Sequence, residues 1–552
     1  MKRNLLAFLF IASLVSSASA QETPRLGETL DVSIVNVDVV VTDKQGNRIR
    51  GLRQEDFELR EGGKVQPISN FAEYVSDADR GTIGVEGTQQ TQRAAPRRDR
   101  RTILVFFESM QLVHAAADEF AKSLHDTISR MVGPGDAVSF VIWRPHHETE
   151  HIEFTNDPAQ IAAAIEKIRA AGKIAAPDVL AEQRRDTAQR RDLMSAQPSV
   201  RGAGQGAPAL ELPTDPVSDV GPYILAAYNE MTVRVAAINS AITSMAGIEG
   251  KKILLLATRR LGEVAGAEFV FNAGADRVSQ FLKSRYGTDE LMKTLVDNAN
   301  SSGVTIYPVN PPGLTTSSES VNATQADYLT LMNETHSMQK IANQTGGLMA
   351  TGWKDVVELL PRVASDATDY YSLAYRVTVT GADRSRDIVV KTRNPEYKVR
   401  ARTQFVEKSD DTRMRDRLRA TMFRAEQPGS TIGIRAAARP STKGRKESTM
   451  QVRVRIPIAD LTMLPQANGK HAGKFSVYVA AASDLDALSD VTQKSQPFEV
   501  APAEMQQALA GHFTYDLDLK VTNKSKYIAV GVFDEVGRTY GFKRLELQQA
   551  AK

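Results

Sequence analysis

The 552-residue sequence contains no cysteine. Disulfide bonds, thiolate metal sites and lipid attachment to a cysteine are therefore all excluded, and the folded chain must depend on core packing. An excess of either charge is also missing, because 69 basic and 66 acidic residues leave a net charge of +3. This balance argues against a nucleic-acid partner, since nucleic-acid-binding proteins usually carry a clear basic excess.

Long apolar runs are missing after residue 20, so no transmembrane segment is expected in the mature chain. Residues 1–20 have the pattern of a Sec-type signal peptide, in which two basic residues precede an apolar stretch at 5–15 and small residues at 18–20. That apolar stretch is short for a membrane anchor, and we expect cleavage after Ala20. The mature protein is therefore predicted to be periplasmic or secreted.

The length predicts two to four domains, and 42% hydrophobic with 24% charged residues is typical of globular domains with real cores. The central domain is organised around residues 100–143. Apolar runs at 103–107 and 137–143 flank a segment with helical periodicity, which indicates a strand, a helix and a second strand. Because this alternation continues to residue 369, we predict an α/β domain at 100–369 with a doubly wound, mostly parallel sheet.

Two stretches interrupt these patterns. Residues 76–99 are rich in Gly, Gln, Thr and Arg without an apolar period, and are predicted to be a linker. Residues 173–220 are predicted to be an insertion, first rich in Arg and Gln and then in Gly, Pro and Ala. The basic runs at 93–101 and 184–191 are interpreted as solvated segments rather than binding patches.

Strand patterns flank the α/β domain. Residues 27–75 form a β module that is too small to bury a core alone, and strands at 370–405 are expected to complete it. The α/β domain would then be inserted into one β-sandwich. Residues 410–552 are expected to form a second, so that β-sandwich (Ig-like) modules flank the α/β domain. The clearest strands of that second sandwich are expected at 450–456, 474–481, 513–521 and 527–533.

Ordered blocks across residues 30–405 resemble the von Willebrand factor A-related proteins that are abundant in Acidobacteria. The blocks are Val39-Val40-Val41-Thr42-Asp43-Lys44-Gln45-Gly46, Gly51-Leu52 with Asp56-Phe57, Arg101 to Gln111, Gly135-Asp136-Ala137-Val138, Gly250-Lys251-Lys252 with Ile253-Leu254-Leu255, Gly303-Val304-Thr305-Ile306-Tyr307, Thr345-Gly346-Gly347 and Asp369-Tyr370-Tyr371-Ser372-Leu373-Ala374-Tyr375. The resemblance implies a von Willebrand A-type domain with an adhesive or protein-binding role.

Ligands of doubly wound sheets bind at the carboxyl ends of the strands. The candidate ligand-binding residues in those loops are Glu108, Ser109, Gln111, Thr258 and Arg259.

A-type domains often hold a divalent cation at this edge through a D-x-S-x-S motif. Here the matching positions are Glu108, Met110 and Leu112, so neither hydroxyl remains, and Arg259 stands near the usual place of a later aspartate. We therefore predict neither a metal ligand nor a cofactor. Glu108 is the one position of the motif that keeps an oxygen ligand able to contact Mg²⁺ or Ca²⁺. A metal-free scaffold is expected, in which Glu108 pairs with Arg259 or Arg260.

A second candidate site is the sequence His147-Glu148-Thr149-Glu150-His151, which matches the H-E-x-x-H motif of zinc proteases. That motif works because a helix places both histidines on one face. Pro145 precedes it here and strand patterns flank it, so a turn is predicted and the match is interpreted as accidental. No other catalytic motif is found.

These observations favour an exported, non-enzymatic scaffold that binds another protein or a cell-surface component through its strand-end loops. The alternatives are a metal-dependent hydrolase that uses the histidine turn, and a structural envelope protein. The partner and the oligomeric state are left open.

Overall fold

The computed structural model describes residues 31–75, 100–109, 114–145, 147, 149–173, 221–248, 250–267, 282–310, 325–351, 353–379, 381, 383–422, 429–444, 447–484 and 487–547. The predicted signal peptide, the linker at 76–99 and nearly all of the insertion at 173–220 lie outside these residues. No helix within them combines the length and the apolar character that a bilayer span needs.

The first described segment, residues 31–75, contains four strands. They are β1 (Asp31–Thr42), β2 (Phe57–Glu61), β3 (Lys64–Gln66) and β4 (Ile68–Tyr74). In β1 the alternate residues Val35, Val37 and Val39 are buried, as the strand pattern predicts. Between β2 and β3 the chain turns through Gly62 and Gly63, whose φ angles of +53° and +81° favour glycine in a tight hairpin.

A six-stranded mixed sheet lies at the centre of the molecule. Its strands are β5 (Arg101–Glu108), β6 (Ala137–Trp143), β7 (Glu150–Thr155), β8 (Lys251–Ala257), β9 (Val304–Asn310) and β10 (Ala350–Thr351), in the order β10-β9-β8-β5-β6-β7. All neighbours are parallel except β6 and β7. Every residue of β5 is buried, which explains its continuous apolar run between two parallel neighbours.

Six helices among the described residues cover both faces of this sheet. They are α1 (His114–Met131), α2 (Pro158–Lys173), α3 (Gly221–Ser244), α4 (Asp289–Ser302), α5 (Gln325–Thr345) and α6 (Trp353–Thr368). Helices α1, α2 and α6 pack with Ile103, Val105 and Phe107 on one face. Helices α3, α4 and α5 pack with Leu104 and Phe106 on the other. This is a doubly wound α/β arrangement.

After α6 the chain returns to the first four strands. The returning strands are β11 (Tyr370–Val379), β12 (Ser385–Thr392), β13 (Lys398–Arg400) and β14 (Gln404–Val406). Two antiparallel sheets result, with the orders β13-β1-β11-β4 and β14-β12-β2-β3. They share one apolar core, to which β1, β2, β11 and β12 all contribute.

The remainder of the described chain is mostly antiparallel β structure. Its elements are α7 (Asp410–Met422), β15 (Arg435–Lys443), β16 (Glu447–Pro457), β17 (Leu464–Pro465), β18 (His471–Asp484), β19 (Ala487–Leu488), β20 (Thr492–Val500), α8 (Met505–Leu509), β21 (His512–Thr522), β22 (Tyr527–Asp534) and β23 (Tyr540–Glu546). One sheet has the order β15-β16-β21, and the other has β17-β18-β22-β23 with β19 and β20 also paired to β18. Alternate residues of both sheets form a shared core.

Helix α7, which the sequence patterns did not predict, joins this region to the α/β domain. Its charged composition hides a narrow apolar stripe of Met414, Leu418 and Met422, which share one core with α3 and with β18 and β22. The spacing of four residues between these side chains is the sequence signal for this helix. The signal is weak because the apolar stripe is narrower than the one typical of helices in globular proteins.

Candidate functional site

Glu108, the last residue of β5, marks the carboxyl edge of the central sheet and is only 6% exposed. Arg234 Nη2 donates to Oε1 of Glu108 at 2.8 Å, and Arg234 Nε lies 3.2 and 3.1 Å from Oε1 and Oε2. The hydroxyl of Thr258 donates to Oε2 at 2.6 Å, and the backbone N–H of Arg259 donates to the same oxygen at 3.1 Å. Protein donors thus satisfy both oxygens of the carboxylate.

Arg234 extends this ion pair towards the surface. It projects from α3, is 1% exposed, and also donates from Nη2 to Oε1 of Glu230 at 2.6 Å. Its guanidinium carbon lies 5.5 Å from the ring centroid of Trp143. Arg260 Nη1 lies 3.4 Å from the same oxygen of Glu230. Two carboxylates and two guanidiniums therefore alternate from the sheet interior to the surface.

The charges of the inner pair stabilise each other. Burial acts to raise the pKa of Glu108, but the nearby charge of Arg234 and the donated hydrogen bonds outweigh it and hold that pKa below its usual range. Burial likewise acts to lower the pKa of Arg234, and the carboxylates Glu108 and Glu230 raise it above its usual value. Both shifts favour the ionised forms of Glu108 and Arg234.

From the sequence, Arg259 or Arg260 is the expected partner of Glu108. The ion pair is instead made by Arg234, while Arg259 contributes its backbone N–H and Arg260 pairs with Glu230. A signal for Arg234 does exist in the sequence. Position 234 follows Met231 by three residues and precedes Ile238 by four, so an arginine stands on the buried stripe of α3.

The other predicted site residues separate into two groups. Thr258 and Arg259 meet Glu108, whereas Ser109 does not share these contacts. Ser109 is buried, and its hydroxyl donates to the carbonyl oxygen of Ala171 at the end of α2 at 3.2 Å. Gln111 lies outside the described residues.

A divalent cation at Glu108 would need carboxylate and hydroxyl oxygens with free lone pairs. Arg234 binds both oxygens of Glu108 instead, and the Thr258 hydroxyl points its proton at the same carboxylate. The described residues at this edge therefore do not fit a bound Mg²⁺ or Ca²⁺ ion. Within the described ranges, no cluster of three or more His, Asp or Glu side chains could hold a metal elsewhere.

The H-E-x-x-H sequence lies in a turn and a strand. His147 is exposed in the turn, His151 belongs to β7, and Glu148 is outside the described residues. Nε2 of His151 lies 3.1 Å from Oγ of the buried Ser139, whose hydroxyl donates to the carbonyl of Ile152 at 2.8 Å. Burial lowers the pKa of His151 to about 4. The two histidines do not share a helix face, as the zinc-protease motif requires.

A small, open cleft adjoins the ion pair. It lies between α3, the loop that follows β8, and α5, and Glu230, Arg234 and Arg260 bring charge into it. The described residues that line it are Ala227, Glu230, Met231, Arg234, Arg260, Gly262, Val264, Ala265, Gly266, Asn333 and Glu334. Of the cleft residues, Arg234 contacts Glu108 in the network above, and Arg260 was expected from the sequence as a partner of Glu108.

The loop of this cleft is held in an unusual conformation. Arg260 has a φ of +61°, which is uncommon for a residue with a side chain and is often found at functional sites. The side-chain amide of Asn333 fixes the loop by accepting from the backbone N–H of Val264 at 3.1 Å and donating to its carbonyl at 2.9 Å. A Cβ on Gly262 would lie 2.3 Å from Nδ2 of Asn333, so glycine permits this close approach.

Comparison with known proteins gives a limited result. No protein-family model matches the chain, and no curated protein matches it either. Among solved structures, it is similar to the vWF domain of the type V pili tip protein Mfa5 from Porphyromonas gingivalis, at 12% identity and a TM-score of 0.20, over 49% of this chain and 95% of that one. It is also similar to the human COPII-coat protein Sec24c, at 8% identity and a TM-score of 0.22, over 65% of this chain and 54% of that one.

Proposed function

We propose that the chain is an exported, non-enzymatic binding scaffold built on a von Willebrand A-type domain. Its ligand would be another protein or a cell-surface component, bound at the cleft beside Glu108. Export rests on the signal pattern of residues 1–20, and a secreted product that begins at Gln21 by mass spectrometry is the expected result. A product that retains Met1 would contradict export by this route.

The observation that carries this proposal is the saturation of Glu108 by Arg234, Thr258 and Arg259. A carboxylate that already accepts hydrogen bonds from four protein donor groups has no lone pair oriented for a cation. The guanidinium of Arg234 supplies a fixed positive charge inside the site. Binding would therefore be independent of divalent metal.

The adjacent cleft has the mixed character of a protein-binding surface. Charged groups of Glu230 and Arg260 lie in it beside apolar atoms of Met231. On α5, Leu331 is 39% exposed and Met332 is 42% exposed, directly before the cleft residue Asn333. Interfaces combine such apolar anchors with a few oriented polar groups.

Ala227→Arg tests the cleft directly, because Ala227 lines it and a long side chain would fill it. Ala226→Arg is the matched control, since Ala226 is exposed on the same helix and outside the lining. Binding of the labelled full chain to isolated envelopes of the producing cell should fall about tenfold with Ala227→Arg and stay near wild type with Ala226→Arg. EDTA should leave wild-type binding unchanged.

Two results would overturn the proposal. Equal binding by both variants would remove the cleft from the interface. Loss of binding in EDTA, restored by Mg²⁺ or Ca²⁺, would show that a cation takes part in spite of the saturated carboxylate.

We also propose that residues 27–75 and 370–405 form one folding unit with the α/β domain inserted between them. The pairing of β1 with β11 supports this arrangement, because Val39 faces Tyr371 across a sequence separation of more than 300 residues. The Asp366 variant described in the Discussion provides its test.

A further inference from the structure

One face of the sheet β15-β16-β21 is exposed and carries several arginines. Its inner residues, such as Val452 and Val454, belong to the shared core, so the alternate residues point outwards. In one outward row Arg435 faces Arg455, and Arg455 faces Thr514. This row crosses all three strands, presents hydrogen-bond donors, and contains no carboxylate.

The arginines of this face differ in their partners. Arg453 forms a bidentate pair with Asp516, with both nitrogen–oxygen distances at 2.7 Å, and Arg439 donates to the side-chain oxygen of Gln451. Arg435 and Arg455 are both exposed, and neither guanidinium has a hydrogen-bond or ion-pair partner among the residues that the structure describes.

A directly opposed pair of like charges destabilises a sheet, because the Cβ atoms of such a pair lie only about 5 Å apart. The repulsion disappears when an anion binds between the two guanidiniums. Arginine is suited to this because its planar fork donates two parallel hydrogen bonds to a carboxylate. The neighbouring Arg453–Asp516 pair displays that geometry on the same face.

The surroundings of the pair decide between classes of ligand. Within the described part of this face, no large apolar side chain is exposed, so a protein partner would lack the anchors that protein interfaces use. A peptide strand added to the free edge of β15 would reach Arg435 but not Arg455, which lies on the middle strand. A ligand that contacts both must lie flat on the face.

We propose that Arg435 and Arg455 form a carboxylate-binding site for an acidic polysaccharide of the uronic-acid type. One sugar carboxylate would lie between the two guanidiniums, and Thr514 would offer its hydroxyl to the same segment. The site is independent of the cleft at Glu108 and belongs to a different region of the chain.

Arg435→Glu tests this site and provides its own folding control. The new carboxylate would pair with Arg455, so binding should be lost while the thermal midpoint stays the same or rises. The matched control is Lys494→Glu, an exposed charge reversal on β20 in the other sheet of this region. The probe is polygalacturonate, with neutral dextran and dextran sulfate as further arms.

Polygalacturonate should bind the wild-type chain at low salt, and neutral dextran should not. Arg435→Glu should weaken this binding at least about tenfold and reduce its salt dependence, whereas Lys494→Glu should change it less than about twofold.

Four outcomes would overturn the proposal. They are equal losses in both variants, no binding of polygalacturonate by the wild-type chain, tighter binding of dextran sulfate, and tighter binding of poly-glutamate or single-stranded DNA of equal charge. The last two results would assign the arginine pair to another class of anion.

Discussion

Two buried carboxylates of the α/β domain have similar surroundings and different positions. Glu108 lies at the carboxyl edge of the central sheet and receives a guanidinium, a hydroxyl and a backbone N–H from its own domain. Asp366 lies near the end of α6 and is fully buried. It accepts from the Tyr307 hydroxyl at 2.8 Å, from Arg400 at 2.8 and 2.9 Å, and from Arg48.

The difference lies in where the donors come from. Arg48 and Arg400 belong to the segments that flank the α/β domain, so Asp366 ties those segments to α6. Burial and the neighbouring Arg400 lower the pKa of Arg48 to about 10, which shows how crowded with positive charge this contact is. Glu108 makes no such connection, and an open cleft adjoins its partner Arg234. A buried carboxylate paired with arginine thus connects two regions of the chain at Asp366, whereas at Glu108 it forms part of a candidate site.

The largest effect is expected for Asp366→Asn. Removing the charge takes away the buried carboxylate that pairs with the partly buried guanidiniums of Arg48 and Arg400, and the free energy of unfolding should fall by about 4 kcal/mol. Asp297→Asn is the control, because Asp297 pairs with the exposed Lys293 on the same helix and should lose under about 1 kcal/mol. Denaturant unfolding monitored by circular dichroism measures both values.

Hydrogen exchange of Asp366→Asn adds the test of the inserted arrangement. If the flanking strands and the α/β domain fold as connected units, amides of β1 and β8 should both exchange faster. Faster exchange confined to α6 would contradict both the connecting role of Asp366 and the proposed inserted layout.

The second-largest loss of stability is expected for variants of the Glu108–Arg234 ion pair at the carboxyl edge of the central sheet. Glu108→Gln or Arg234→Met alone should cost about 3 kcal/mol, since Arg234→Met leaves the buried Glu108 carboxylate without its cation and Glu108→Gln leaves the buried Arg234 with Glu230 alone. The double variant should cost clearly less than the sum, and a double-mutant cycle measures that coupling. Equal and additive costs would mean that the pair is not coupled. Magnesium or calcium bound to the wild type and lost with Glu108→Gln would revise the assignment of Arg234 as the internal cation.

Much of the architecture was readable from the sequence, because it depends on local patterns. The run at 103–107 and the periodicity of Phe120, Leu124 and Ile128 correspond to β5 and α1. The mixed α/β character follows from that alternation. These patterns survive because burial on a strand or a helix imposes a period on the residues themselves.

The candidate site was harder to predict from the sequence, because its contacts join positions that are far apart in the chain. Glu108 was visible as a carboxylate at a strand end, but its partner is 126 residues away and no local period connects them. The cleft depends on how α3, α5 and the loop after β8 come together, and on the left-handed backbone of Arg260 in that loop. Neither can be read from spacing alone.

The smallest loss of stability is expected when the neutral hydrogen-bond donors of the two carboxylates are removed. These variants also distinguish the role of Glu108 from the role of Asp366. Tyr307→Phe and Thr258→Val each remove one buried hydroxyl that donates to a carboxylate, and each should lower the free energy of unfolding by about 1 to 2 kcal/mol. Tyr307→Phe should lower the free energy of unfolding less in the Asp366→Asn background, because the partner of the hydroxyl is then uncharged.

Thr258→Val should also weaken ligand binding at the cleft, because Glu108 loses one hydrogen-bond donor and can then move together with Arg234. Tyr307→Phe should leave binding unchanged. Denaturant unfolding and the envelope-binding assay measure the two quantities on the same variants. If both variants weaken binding equally, the two carboxylates are equivalent supports of one fold, and the distinction drawn between them fails.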